Sequence, residues 1–94
     1  MKDICFEWNE AKSKANIQKH GISFEEAESV FFDECARLIA DPDHSETEDR
    51  FVLLGLSVRL RLLLVCHCFE VEDGLIRVIS CRKASQKEML LYRR

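Results

Sequence analysis

The chain predicts an α+β fold, with elements in the order β-α-α-β-β-β-β-α. Three observations carry this. Ile4, Phe6 and Trp8 alternate with Cys5 and Glu7, the period of a half-buried strand. Two segments with helical spacing and capping residues follow directly. Apolar runs separated by turn residues then fill most of the second half, the pattern of hairpin-linked strands in an antiparallel meander.

Each element has its own signals. Asn9 is placed to cap a first helix, because its side chain can accept an orphan backbone N–H. That helix runs to His20, and Gly21 stands where a left-handed cap residue is wanted. Ser23-Phe24-Glu25-Glu26 reads as a capping box, with Ser23 at the cap and Glu26 reaching back. Phe24, Ala27, Val30 and Phe31 give the second helix a buried stripe. CARLIA, residues 35–40, is a short strand, and DPDHSETED is an acidic loop holding the only proline. Arg50 to Leu56 is the next strand, with Gly55 to Arg59 turning the chain. Arg61 to Phe69 is nearly all apolar, which predicts the centre of the sheet. Glu70 to Gly74 is a hairpin turn and Leu75 to Cys81 the last strand. Ser85-Gln86-Lys87-Glu88 is a second capping box and opens a final helix through Tyr92. There are no repeats and no linker, so residues 1–94 form a single domain.

Composition narrows the class. Apolar residues are 47% and charged residues 33%, the balance of a globular domain. Leu60 to Phe69 is broken by Arg61 and His67 and is too short for a bilayer, so no membrane association is expected. The N-terminus lacks the marks of an export signal. Five cysteines is an odd number without framework spacing, which reads as free thiols in a cytoplasmic protein. Net charge is −3, but it is unevenly spread. Residues 1–24 and 50–94 are net basic, and residues 25–49 carry one arginine against ten acids. Only the basic regions suit a polyanion.

Several side chains are candidates for chemistry. Lys12, Asn16 and His20 are spaced by four, which predicts one exposed helical stripe with Lys19 beside it. If the hairpin centres on Glu72, His67 faces Arg77, whose charge would leave the imidazole neutral and able to accept a proton. A one-residue slip would separate them, and a hydrogen-bonded core histidine is the alternative. Arg77, Arg82 and Lys83 bring three cations to the last strand and its end, where a guanidinium fork suits phosphate. Glu88 and Tyr92 share a helix face; capping and helix anchoring are their ordinary roles. Cys66 and Cys68 point to one side of their strand and Cys81 to the other, so a zinc cluster does not assemble. No glycine loop for phosphate is present, and no cofactor is expected.

Phe6-Glu7-Trp8, Lys12, Asn16, Lys19-His20-Gly21 and Phe24-Glu25-Glu26-Ala27, with the later RVISCRKASQKEMLLY, together resemble the BrnT family of bacterial toxins. Asn9 stands where that family usually has aspartate, and Cys81 where it has a small alanine. The resemblance implies a RelE-like fold and a metal-independent endoribonuclease that inhibits translation. It also implies neutralisation by a BrnA-like antitoxin in a heterotetramer that reaches operator DNA only through the antitoxin. In such an enzyme the RNA's own 2′-hydroxyl attacks the adjacent phosphate, helped by a base and by cations. Arg77 and Arg82 would hold the phosphate. Lys12, Asn16, Lys19, His20 and Lys83 would bind the backbone, and His67, Glu88 or Tyr92 would carry protons. The other reading is a non-catalytic module within an autoregulatory repressor complex. For catalysis, Lys12, His20, Arg77 and Arg82 must gather in one depression. The acidic stretch from Glu25 to Asp49 is expected to face solvent or a basic part of a partner.

Overall fold

The computed structural model describes residues 4–40 and 50–92. Its elements are β1 (Cys5–Glu7), α1 (Glu10–His20), α2 (Phe24–Ser29) with a 3-10 turn at Val30–Phe32, β2 (Arg37–Ile39), β3 (Phe51–Leu56), β4 (Leu62–Glu70), β5 (Leu75–Lys83) and α3 (Gln86–Tyr92). This is the α+β order that the sequence predicts. The strands lie in the order β1-β5-β4-β3-β2, and the apolar β4 is central as expected. β2 to β5 are antiparallel, whereas β1 joins the edge parallel to β5. The helical connection after β1 permits this, since hairpins impose antiparallel pairing and crossovers do not.

The sheet divides two cores. Its first face packs Leu53, Leu63, Val65, Val78 and Cys81 against Ile22, Phe24, Ala27 and Val30 of the α2 segment. Its second face gathers Val52, Leu54, Leu64 and Ala84 with Tyr92 of α3. Gly55 lies inside β3 and does not begin the turn. A Cβ there would meet Val30 Cγ1 at 2.7 Å and Ala36 Cβ at 2.8 Å, so the glycine lets the 3-10 turn approach the strand. The chain turns at Ser57–Arg61 instead, where Ser57 N–H donates to the Arg61 carbonyl at 2.8 Å.

The β4–β5 register departs from a hairpin centred on Glu72. Glu70 pairs with Leu75, Cys68 with Arg77 and His67 with Val78, while Cys66 pairs with Ser80. Ile79 is therefore an extra residue, a β-bulge. His67 does not face Arg77.

Asn16 is a second correction. It is 7% exposed and does not belong to an exposed stripe. β1 covers the β5 edge only from Leu75 to Arg77, and the Asn16 amide takes over further along. Its Oδ1 accepts from Cys81 N–H at 3.1 Å, and its Nδ2 donates to the Cys81 and Ile22 carbonyls at 2.9 Å each. The side chain thus substitutes for a missing strand. Buried backbone groups need such partners.

Glu26 keeps half of its expected role. Its backbone N–H donates to Ser23 Oγ at 3.0 Å, but its carboxylate does not reach back. It accepts from Ser57 Oγ at 2.7 Å and from Arg61 Nε at 2.9 Å, pinning the β3–β4 turn to α2. The Arg61 hydrogen bond, with Ser57, outweighs burial and holds the Glu26 carboxyl below its ordinary value.

Two outcomes test these anchors. Asn16→Ala should cost about 2–4 kcal/mol, because three buried backbone groups lose their partner, whereas Lys12→Ala should stay within about 0.5 kcal/mol; urea unfolding measures both. The Glu26 contribution is complete above the unfolded carboxyl value and drains away as pH falls through the lowered folded value. Stability measured from pH 7 down to pH 3 should fall less steeply in Glu26→Gln.

Candidate functional site

The bulge at Ile79 decides where the cations go. Residues 77 and 82 are an odd number apart and would face opposite ways on a regular strand. The extra residue restores them to one face: their partners Cys68 and Leu64 are four apart on β4. Arg77 and Arg82 therefore share the second face of the sheet, roughly 15 Å apart along β5. α3 covers one end of that face, and half-buried Cys66 and Cys68 with exposed Ser80 form the open floor between the arginines.

Each arginine meets a carboxylate. Glu7 lies opposite Arg77 across the β1–β5 pair, and Arg77 Nε donates to Glu7 Oε2 at 2.6 Å. Both side chains are about half exposed, 54% and 44%, so the pair is weak and exchangeable. Arg82 grips Glu88 with two parallel bonds, at 3.0 and 2.9 Å. The Arg82 hydrogen bonds, more than those from Ser85, hold the Glu88 carboxyl below its usual value against the effect of burial. The second capping box is complete: Ser85 N–H donates to Glu88 Oε1 at 2.7 Å, and Glu88 N–H donates to Ser85 Oγ at 3.2 Å. Glu88 thus joins a helix start to a strand cation.

The predicted α1 stripe divides around Asn16. At about 100° per residue, Ser13 and His20 lie to one side of Asn16, and Lys12 and Lys19 to the other. Ser13 is buried and accepts from Phe24 N–H at 3.4 Å, which marks its side as the one toward the first core. Lys12 and Lys19, both exposed, project from the other side of α1, away from that core. His20 turns toward the first core. Lys83 alternates with Arg82 and belongs to the other sheet face, exposed at the strand end.

The three candidate proton carriers separate. His67 is 5% exposed on the first face. Its ring stands edge-on to Phe31 at 4.8 Å, and Nδ1–H donates to the Val65 carbonyl at 3.1 Å. Burial lowers its pKa, so it is neutral for this reason and not because of Arg77. It is a core histidine, away from the arginines. Tyr92 O–H donates to Asp33 Oδ2 at 2.7 Å. That bond, then burial, pushes the phenol up to about 12, and it ties α3 to the segment before β2. Only Glu88 touches a clamp arginine.

Glu7, Asp33 and Arg61 were not legible as partners. Glu7 needed the parallel β1–β5 register. Asp33 also accepts from Leu56 N–H at 2.8 Å and Cys35 N–H at 3.0 Å, and no sequence signal marks such a hub. Burial pushes the Cys81 thiol up to about 12, which makes it structural. Among the described residues, no three His, Cys, Asp or Glu side chains are grouped to hold a metal, and no helix is long and apolar enough to cross a membrane.

The arrangement is a small α+β scaffold with Arg77 and Arg82 on one sheet face, and guanidinium forks of this kind suit phosphate. The family model for the ribonuclease toxin BrnT of type II toxin–antitoxin systems matches residues 8–88, so the chain belongs to the BrnT family. Among solved structures it is similar to the crystal structure of the Brucella abortus ribonuclease toxin BrnT, with 28% identity and a TM-score of 0.67 over 89% of this chain and 100% of that one. No curated protein matches it.

The single tyrosine makes one feature directly measurable. Absorbance titration should find the Tyr92 midpoint near 12, and Asp33→Asn should move it back toward 10. Because the folded value is raised, the stability from this contact is intact below pH 10 and is lost as pH rises toward 12.

Proposed function

We propose that this chain is a metal-independent endoribonuclease toxin acting in the cytoplasm on RNA held across the Arg77–Arg82 face. The Arg82–Glu88 pair carries this reading. It sets a bidentate donor that suits phosphate in contact with an ionised carboxylate at the end of the sheet face, with the Arg82 side chain 29% and the Glu88 side chain 13% exposed. A phosphate entering the guanidinium fork takes the place of Glu88. The freed carboxylate loses the cation that depresses its pKa and becomes a stronger base.

Glu88 then accepts the proton of the 2′-hydroxyl. The 2′-oxygen attacks phosphorus, the bond to the 5′-oxygen breaks, that oxygen takes a proton from water to leave as a 5′-hydroxyl, and a 2′,3′-cyclic phosphate remains. Arg82 offsets the charge that develops on the phosphoryl oxygens. Arg77 holds a neighbouring phosphate after exchanging Glu7 for it. Lys12 and Lys19 guide the backbone along the strand edge. Cleavage of translated RNA would stop protein synthesis. A BrnA-like antitoxin would neutralise the toxin in a heterotetramer and supply the contacts to operator DNA.

A second reading is a non-catalytic partner in that repressor complex. It is favoured by the carboxylate already seated on each arginine. Cleavage assays in EDTA separate the two. Wild type should cut RNA and arrest growth on induction. Arg82→Ala should lose about 10²–10³-fold in cleavage rate. Glu88→Gln, which can keep the cap, should lose at least about 10²-fold, and Arg77→Ala mainly binding. Arrest by the arginine variants equal to wild type would sink the clamp, and a wild type that cuts nothing would favour the second reading.

A further inference from the structure

Among the described residues, no helix covers the end of the first sheet face beyond α2. Phe32, Leu38, Phe51 and Phe69 are 72%, 60%, 42% and 39% exposed. They border one continuous surface. Phe32 stacks near Phe6 at 6.2 Å, and Phe6 reaches Phe31 at 5.2 Å. Phe31 meets His67, which is 6.0 Å from Phe51. Phe6 and Phe69 both pair with Ile76 across the strands, and Leu38 pairs with Leu53 beside Phe51. Large apolar side chains clustered in this way mark an interaction surface, whereas scattered ones do not.

Charge identifies the occupant. Residues 22–39, 50–52 and 67–76, which carry or flank these side chains, contain eight Asp or Glu against Arg37 and Arg50; Arg37 is held by the Leu91 carbonyl, and Glu70 lies on the arginine face. Of the acids, Glu26 is neutralised by Arg61. The field over the rings repels RNA and attracts cations. The face is also separate from the arginines, which lie across the sheet.

We propose that the Phe32–Phe51–Phe69 face is where the antitoxin docks, through a segment with a row of apolar side chains flanked by Lys or Arg. This rests on the toxin reading above. Apolar anchors supply the affinity and the acidic frame supplies steering and partner choice. The antitoxin then holds the toxin from the side opposite the RNA-binding cations, and its segment need not enter the phosphate clamp.

The test uses the full chain and the antitoxin encoded beside it, with affinity measured by calorimetry. Phe32→Ser combined with Phe69→Ser should weaken binding by at least about 30-fold. The same variant should still cleave RNA and arrest growth, which confirms that it folds, and co-expressed antitoxin should no longer relieve the arrest. Raising salt from low to high should weaken the wild-type complex by about tenfold. Unchanged affinity in the double variant would overturn the proposal. So would an equal loss in Arg82→Ala, which would place the antitoxin on the arginine face. Dimers of the free chain abolished by the double variant would assign the surface to a second copy, and lost cleavage with intact antitoxin affinity would assign it to RNA. A wild type that neither cleaves nor arrests, yet loses antitoxin through the same substitutions, would defeat the nuclease reading and leave the docking face standing.

Discussion

One extra residue in the β4–β5 pairing determines which side chains meet. Side chains alternate along a strand, so Arg77 and Arg82 would diverge without the bulge at Ile79. With it, both share a face with Cys68 and Leu64, while Val78 and Cys81 both enter the opposite core. His67 faces inward against Phe31 by the regular alternation of β4, on the side of Leu63 and Val65. A basic face and an apolar face therefore follow from a single register.

The rest of the fold protects that strand. β1 pairs with only part of it, and the Asn16 amide completes the edge from inside a helix. This keeps α1 against β5 and leaves Lys12 and Lys19 exposed on its outer side. At the other end, Glu88 binds Arg82 while capping α3, and Tyr92 and Arg37 tether α3 to the far strands through Asp33 and the Leu91 carbonyl. The ion pairs fix both arginines in place: Arg77–Glu7 is about half exposed, and Arg82–Glu88 is more enclosed, at 29% and 13%.

Much of the fold was legible because its signals are local. Asn9, Gly21, Ser23 and Ser85 each cap where the sequence places them, and the mainly apolar run marks β4 as central. The parallel seat of β1 was not legible, since partner choice at a sheet edge is non-local. Neither was the bulge, which no residue type announces. Arg77 and Arg82 were identified as cations of one strand, but their common face depended on that bulge. Asn16 has the spacing of an exposed stripe and the function of a strand edge, because helical periodicity does not say which neighbour a face meets. Arg77 and Arg82 share one sheet face, while Lys12 and Lys19 lie on the side of α1 opposite Ser13 and His20. The acidic loop of residues 41–49 lies outside the described residues, so only the flanking acids of the α2 segment bear on a partner role.

The central claim is that RNA lies across the face joining Arg77 and Arg82. Its most direct measurement is a nuclear magnetic resonance titration with an oligoribonucleotide whose 2′-hydroxyls are replaced by hydrogen, which binds and is not cut. The arginine side-chain Nε–H signals of residues 77 and 82 should shift together, along with Lys12 and Lys19, while the amides of Phe51 and Phe69 stay in place. Saturable binding that moves the phenylalanine face and leaves both arginine signals where they began would contradict the account.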